Sequence, residues 1–250
     1  MMQVSCFMDG LSRCTRYAFA PNRLHLCGPD KASEIYAYLS EGETDKGLQI
    51  LLSQFKTMYP YLRQIALSNK IKDPLDERVV EAYWIGNKLL ENISPRSFYR
   101  HSIEDQMFHK RLDTKSFRVL ESKMGQNALM HHSFHVLNIM KRTGYSEREH
   151  TIESMDACRI SWGKVVKITG PFIDVQYSPL FLKNNKIIFS SPTTKKIARR
   201  LGDDGTFDNL KIGDTISMHW DWPCEILTPN QTKRLEYYTK LSVNLANQTL

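Results

Sequence analysis

The apolar residues of this chain change their spacing once, just after Met155, and that change limits the folds open to it. Before it they recur at steps of three and four, the period of an amphipathic helix. After it they alternate in short runs, the period of a strand. In "DPLDERVVEAYWIGNKLLEN" the residues Leu75, Val79, Val80, Tyr83, Trp84 and Leu90 share one helical stripe, with Asp73 placed to cap it and Pro74 to start it. "SPRSFYRHSIEDQMFHKRL" repeats the device with Ser94 and Pro95. "NALMHHSFHVLNIMKRTG" is a third expected helix, with Lys141 and Arg142 suiting its C-terminal end and Gly144 as its stop. Shorter helices are expected in "DKASEIYAYLS" and "DKGLQILLSQFKTMYPYLRQIAL", the latter broken near Pro60.

Beyond the polar stretch "GYSEREHTIESMD", which reads as a linker, the runs "ISWGKVVKI", "FIDVQYS", "NKIIFSS" and "DTISMHW" read as strands separated by Gly, Pro and Asn. "GDDG" is a turn signal. The closing "TPNQTKRLEYYTKLSVNLAN" is a helix, capped by Thr228 and started by Pro229, with Leu235, Tyr238, Leu241 and Leu245 as its stripe. The expected fold class is therefore α+β. An all-α helical domain spans residues 1–150, and residues 156–250 form a small OB-like β-barrel with a C-terminal helix. Short strands commonly avoid exposed edges by closing up.

Composition narrows the function classes. With 41% hydrophobic residues in 250, the chain can bury real cores. No apolar run approaches the roughly 18 residues of a membrane span, and the first residues lack signal-peptide order, so a cytoplasmic protein without a membrane partner is expected. Five cysteines at irregular spacing are expected to be reduced thiols, buried spacers or metal ligands. A net charge of +7 is equally compatible with an acidic partner, nucleic acid or an ordinary surface. The phosphate-loop, dinucleotide, nucleophile-elbow and HExxH patterns are all missing, and a non-enzymatic role is expected.

Four pieces of the second half, taken in order, carry a resemblance. They are "CRISWGKVVKI", the turn-bearing "GDDGTFDNLKIGD", "LKIGDTISMHWDWPCEIL" and the helix after "ILTPNQ". Together they resemble the HypC/HupF hydrogenase-maturation chaperones, small barrel proteins in which a cysteine near the amino terminus precedes a Gly-Lys-Val strand. Cys158 and Gly163 stand at the family's spacing, and His219 falls on its histidine. The resemblance covers about residues 157–246. It implies a metallocentre-assembly accessory for nickel–iron hydrogenase, with Cys158 and His219 holding iron as a cyanide and carbonyl complex. The implied partner is a hydrogenase large subunit or another maturation protein, met through Trp162, Gly163, Lys164, Trp220 and Trp222. Thiolate and imidazole suit low-spin iron. Two departures stand out: Cys158 is internal rather than terminal, and Trp162 replaces the family's proline. The first half resembles an uncharacterised prokaryotic helical family marked by "FAPN", "CGP", "PYL", "DP" and "RVVEAYWIGN".

Other constellations compete. His131 and His135 lie one turn apart on the expected helix, a spacing that chelates metals, with Glu81, Glu104 and Asp105 as possible carboxylates. His132 points instead toward the apolar stripe of Leu129, Val136 and Ile139. Helix histidines bonded to backbone or to a neighbouring acid are the plainer account. Cys27 stands ahead of the first expected helix, where a thiol pKa falls. Lys195, Lys196, Arg199 and Arg200 form a basic run that reads as a solvated loop or short helix. Two alternatives follow. One is a nucleic-acid-binding protein using the barrel as a platform, disfavoured by the tryptophans grouped near the implied metal. The other is a metal-dependent enzyme within the helices.

Overall fold

The computed structural model describes residues 8–139, 150–200 and 205–250. Ten α-helices and one 3-10 helix (Lys88–Asn92) precede the first strand among the described residues: α1 Gly10–Arg23, α2 Ala32–Glu41, α3 Lys46–Ser53, α4 Met58–Ser68, α5 Glu77–Trp84, α6 Pro95–Glu104, α7 Phe108–Arg111, α8 Thr114–Met124, α9 His132–Asn138 and α10 Ile152–Cys158. The strands are β1 Ser161–Thr169, β2 Phe172–Tyr177, β3 Leu180–Lys183, β4 Lys186–Phe189, β5 Thr193–Ala198, β6 Thr215–His219 and β7 Trp222–Ile226, and α11 Pro229–Ala246 closes the chain. The architecture is α+β: helices, then antiparallel sheet, then a C-terminal helix. No helix among the described residues is long and apolar enough to cross a membrane.

Local chemistry sets most boundaries. Ser94 and Thr228 accept hydrogen bonds from Ser97 N–H and Gln231 N–H, with prolines in the first turns, and Gln231 completes a capping box. Elsewhere the caps differ from expectation. Asp76, not Asp73, caps α5, while Asp73 accepts from Leu75 N–H in the turn before it. Pro60 lies inside the first turn of α4, where its missing N–H costs nothing, and the break comes earlier, at residues 54–57. The helix begun at α9 starts only at His132, and its expected end at Lys141, Arg142 and Gly144 lies outside the described residues. The supposed linker contains α10, capped by Thr151, so Cys158 ends a helix rather than opening a strand.

Five strands form one sheet in the order β5-β2-β1-β6-β7, and β3-β4 is a separate hairpin. The sheet is antiparallel throughout, with β5 and β7 as unpaired edges, so no hydrogen-bonded barrel closes. The basic run expected to be a loop or short helix is largely strand: Lys195 and Lys196 lie in β5, paired with Val175 and Asp174. Gly163 sits between Tyr177 and Ile216 on the two neighbouring strands, where a Cβ would come within 2.6 Å of the Gln176 carbonyl. Only glycine fits that approach.

The helical part and the sheet share their largest core, which runs from Cys14, Tyr17 and Trp84 to Ile160, Cys224, Leu235 and Tyr238. Helix α1 lies on β6 and β7. Tyr17 Oη donates to Glu225 at 2.8 Å and meets Ser217 Oγ at 2.8 Å, and Arg16 Nε donates to the Cys224 carbonyl at 2.6 Å. Arg13 adds a bond to the same buried carboxylate at 3.2 Å. Glu225 is 4% exposed, and a charge so buried is retained only with partners of this kind.

Candidate metal centre

Three elements meet behind α1. Strand β6 ends in His219, helix α10 ends in Cys158 and helix α9 begins with His132. One ligand atom from each of these residues lies within 4.8 Å of the other two, the only such group of three or more His, Cys, Asp or Glu among the described residues. Metal–sulfur and metal–nitrogen bonds measure about 2.0–2.3 Å, so two ligand atoms on one ion stand at most about 4.6 Å apart, close to the spacing here.

Each member is positioned by backbone. His219 Nδ1 is 2.6 Å from the Tyr17 carbonyl, which can only accept, so Nδ1 carries the proton. Its Nε2, deprotonated in that tautomer, is buried without a hydrogen-bond partner. A histidine anchored to a carbonyl through one nitrogen, with the other left over, has the arrangement of a metal ligand. His132 Nε2 donates to the Cys158 carbonyl at 2.9 Å, and the Tyr83 hydroxyl lies 3.2 Å from its Nδ1. Cys158 is held from the other side as well. The β6–β7 turn puts Trp220 and Asp221 in the left-handed region (φ 50° and 63°) and sends Trp220 N–H to the Ala157 carbonyl at 2.8 Å.

Electrostatics keep the imidazoles neutral, the form that binds metal. Burial drives His219 down to about 4, against the opposing pull of the Tyr17 and Cys158 carbonyls. Burial also pushes His132 well below its ordinary value, and His219 beside it adds to the shift. The rings pack together: Trp84 lies 4.6 Å from His132 and 5.6 Å from His219, centre to centre, and the two imidazoles are 5.2 Å apart. The site opens onto a cavity of about 50 Å³ with apolar walls that include Leu26, Phe55, Met58 and Val136.

Cys158 and His219 are thus brought together, from positions far apart in sequence. His131 and His135 are not brought to a shared site. His131 caps α9 through Nδ1, accepting from Ser133 N–H at 3.2 Å, and stacks on Tyr238 at 5.5 Å. His135 Nδ1 is 3.3 Å from the Tyr61 hydroxyl, and its ring lies on the cavity wall. Asp105 bonds His101 at 2.8 Å, and Glu81 accepts from Asn87 and Gln231. The tryptophan against the histidines is Trp84, not one of the expected three. Trp220 packs near Cys158 and Trp222 against Phe19, whereas Trp162 lies under the buried Arg159 guanidinium, beside Phe189. Lys164 is exposed on β1.

His132 is the candidate ligand that sequence reasoning missed. Counting the helix from Asn127 put His132 on the apolar stripe, whereas a start at His132 turns it toward the sheet. The available signal was the doubled histidine itself, since a helix beginning inside "HHSFH" must send its two histidines in different directions.

Comparison with known proteins adds a family. DUF6390, a family of unknown function, matches residues 7–250. The chain belongs to the DUF6390 family. No curated protein and no solved structure matches it. The DUF6390 match runs through the helices and the sheet together, so α9, α10 and β6, which supply the three donors, all lie within it.

Proposed function

We propose that this DUF6390 protein is a metallocentre-assembly accessory, non-enzymatic and cytoplasmic, that holds a transition metal on Cys158, His219 and His132. The single observation that carries the reading is the meeting of one thiol and two neutral imidazoles at an apolar cavity, with His219 Nε2 buried and unpartnered. The donor set fits iron: a soft thiolate with two imidazoles suits a low-spin centre, and apolar walls limit water at the remaining positions. The resemblance of the second half to hydrogenase-maturation chaperones favours iron with cyanide and carbonyl ligands as the cargo. It also favours a hydrogenase large subunit or another maturation protein as the partner. The five-stranded sheet is read as the counterpart of that family's small barrel.

The chain's own residues do the holding. Tyr17 and Cys158 present carbonyls that fix which nitrogen of each histidine carries the proton. Trp84 and the α1 backbone shut solvent from the deep side. Cys158, half-buried where His219 is 1% exposed, is the donor through which a partner could reach the cargo. The test is direct. Full-length protein co-expressed with hydrogenase maturation machinery should carry iron in fixed proportion and show cyanide and carbonyl infrared bands, and both should vanish in Cys158→Ala. Iron-free wild-type protein of normal stability, still metal-free after incubation with iron(II), would sink the reading.

A further inference from the structure

The cations on and just after β5 differ in their partners. Lys195 Nζ donates to Asp221 at 2.6 Å, Lys196 lies 4.8 Å over the Phe172 ring, and Arg199 donates to the Phe207 and Asp208 carbonyls. Among the described residues Arg200 has only the Asp208 carboxylate, in an ion pair about half exposed on both sides. Pairs so exposed contribute little. Arg200 also lines a second cavity, of about 400 Å³, together with Phe19 and Arg23 of α1, Tyr36 of α2 and Trp222 of β7. This cavity shares no residue with the one beside the candidate metal centre: α1 gives Ala18 and Pro21 to that one, Phe19 and Arg23 to this.

The wall is a chain of measured contacts. The Arg23 guanidinium sits 5.2 Å over the Trp222 ring, Trp222 meets Phe19 edge-on at 6.0 Å, and Phe19 lies 5.6 Å from Tyr36. Tyr36 is 44% exposed, so much of its ring is left uncovered by the protein. Stacking on Trp222 orients Arg23 without using its N–H groups, and among the described residues that guanidinium makes no hydrogen bond or ion pair. No carboxylate lines the cavity among the described residues, so its two arginines give it an uncompensated positive charge. The cavity also takes in Ala32 and Ser33, the opening turn of α2, which no side chain caps. Such a turn favours an anion already bound by cations.

We propose that this cavity binds a flat heterocycle joined to a phosphate, of the class of nucleoside monophosphates. Two planar guanidiniums suit phosphate oxygens, which accept paired N–H bonds, and the uncovered Tyr36 ring gives the heterocycle a stacking surface. The volume lies within the range of small-molecule sites and suits one nucleotide rather than a polymer. The proposal goes beyond the metal reading and stands or falls without it.

The experiment is isothermal titration calorimetry of full-length, metal-free protein with AMP, GMP, CMP and UMP, and separately with adenosine and inorganic phosphate. At least one mononucleotide should bind with a Kd of about 100 μM or tighter, weakening as salt is raised, while adenosine and phosphate each bind about tenfold more weakly or not at all. Arg23→Gln and Arg200→Gln should each raise that Kd about tenfold or more, and Tyr36→Leu about fivefold or more. These are exposed positions on separate elements, so a folding defect in one variant leaves the other two to decide. No binding of any mononucleotide at millimolar concentration overturns the proposal. So does an unchanged Kd in the folded variants, which would place the ligand elsewhere. Phosphate binding as tightly as the best mononucleotide overturns it by leaving an anion site without a ring. A 5′-phosphorylated tetranucleotide binding more than about tenfold tighter than any mononucleotide overturns it in favour of a nucleic-acid end.

Discussion

Acid should unfold this protein through its buried imidazoles. Burial holds His131 at about 3 and His219 at about 4, and His132 is shifted the same way, whereas a histidine in the unfolded chain titrates near 6.5. Each is neutral when folded and charged when unfolded over a window from about 6.5 down to its folded value. Inside that window the unfolded state binds the extra proton, so stability falls as pH falls, by up to about 1.4 kcal/mol per pH unit for each group. Between pH 7 and 5 the linkage amounts to about 2 kcal/mol for His219 and about the same for His131, with His132 adding in the same direction. That sum is a large share of the 5–15 kcal/mol typical of a folded domain. Carboxylates held low, such as Asp76 and Asp105, have unfolded values near 3.8 and contribute little above pH 5. Urea unfolding of metal-free protein at pH 7, 6 and 5, at fixed ionic strength, should show a loss of about 4 kcal/mol or more. In His219→Gln the loss should shrink by about 2 kcal/mol, whatever that variant's stability at pH 7. Stability that holds to within about 1 kcal/mol from pH 7 to 5, or an unchanged pH dependence in His219→Gln, would refute the argument.

Two further substitutions test the packing that frames the site. Gly86 adopts φ 97°, and a Cβ there would lie 1.9 Å from Cδ2 of Tyr238, whose hydroxyl is tied to the Asn87 carbonyl at 3.0 Å; Gly86→Ala should cost about 3 kcal/mol by thermal or urea unfolding, and a loss below about 1 kcal/mol would contradict the geometry. Asp156 accepts from Arg159 Nε at 2.9 Å and from Leu180 N–H at 2.8 Å, with Arg159 only 1% exposed. Asp156→Ala should therefore cost about 3–5 kcal/mol in urea unfolding, and adding Arg159→Met should recover part of it. A double variant as unstable as the single would show that the stranded charge is not the cause.

How much of this was legible depended on whether a signal was local. Thr228, Pro229 and Gln231 announce α11 because a cap, a first-turn proline and a capping box act within four residues. Spacing also separated the helices from β1, β2, β4 and β6. Strand β5 was hidden because Lys195 and Lys196 break the apolar alternation, and it forms because β2 offers it a full ladder of partners. Helix α1 was overlooked because Arg13, Arg16 and Pro21 dilute its stripe; Arg13 and Arg16 turn out to be buried or partly buried against Glu225 and the Cys224 carbonyl. Tertiary partners decided both cases, and no window along the chain contains them. In the candidate site, the resemblance paired Cys158 with His219, which the fold does bring together, whereas the place of His132 depended on where one helix begins.

The bond between the Tyr17 carbonyl and His219 joins residues 202 positions apart. Synthesis delivers α1 early and β6 late, so Tyr17 waits through most of the chain's growth for His219, and His132 and Cys158 are also made before it. A nascent chain stalled before β6 lacks the donor whose tautomer α1 sets, and it cannot assemble the three-donor set. A metal held there as proposed would therefore double as a record of completed folding, since only a chain whose first helix has found its sixth strand brings His219 to His132 and Cys158.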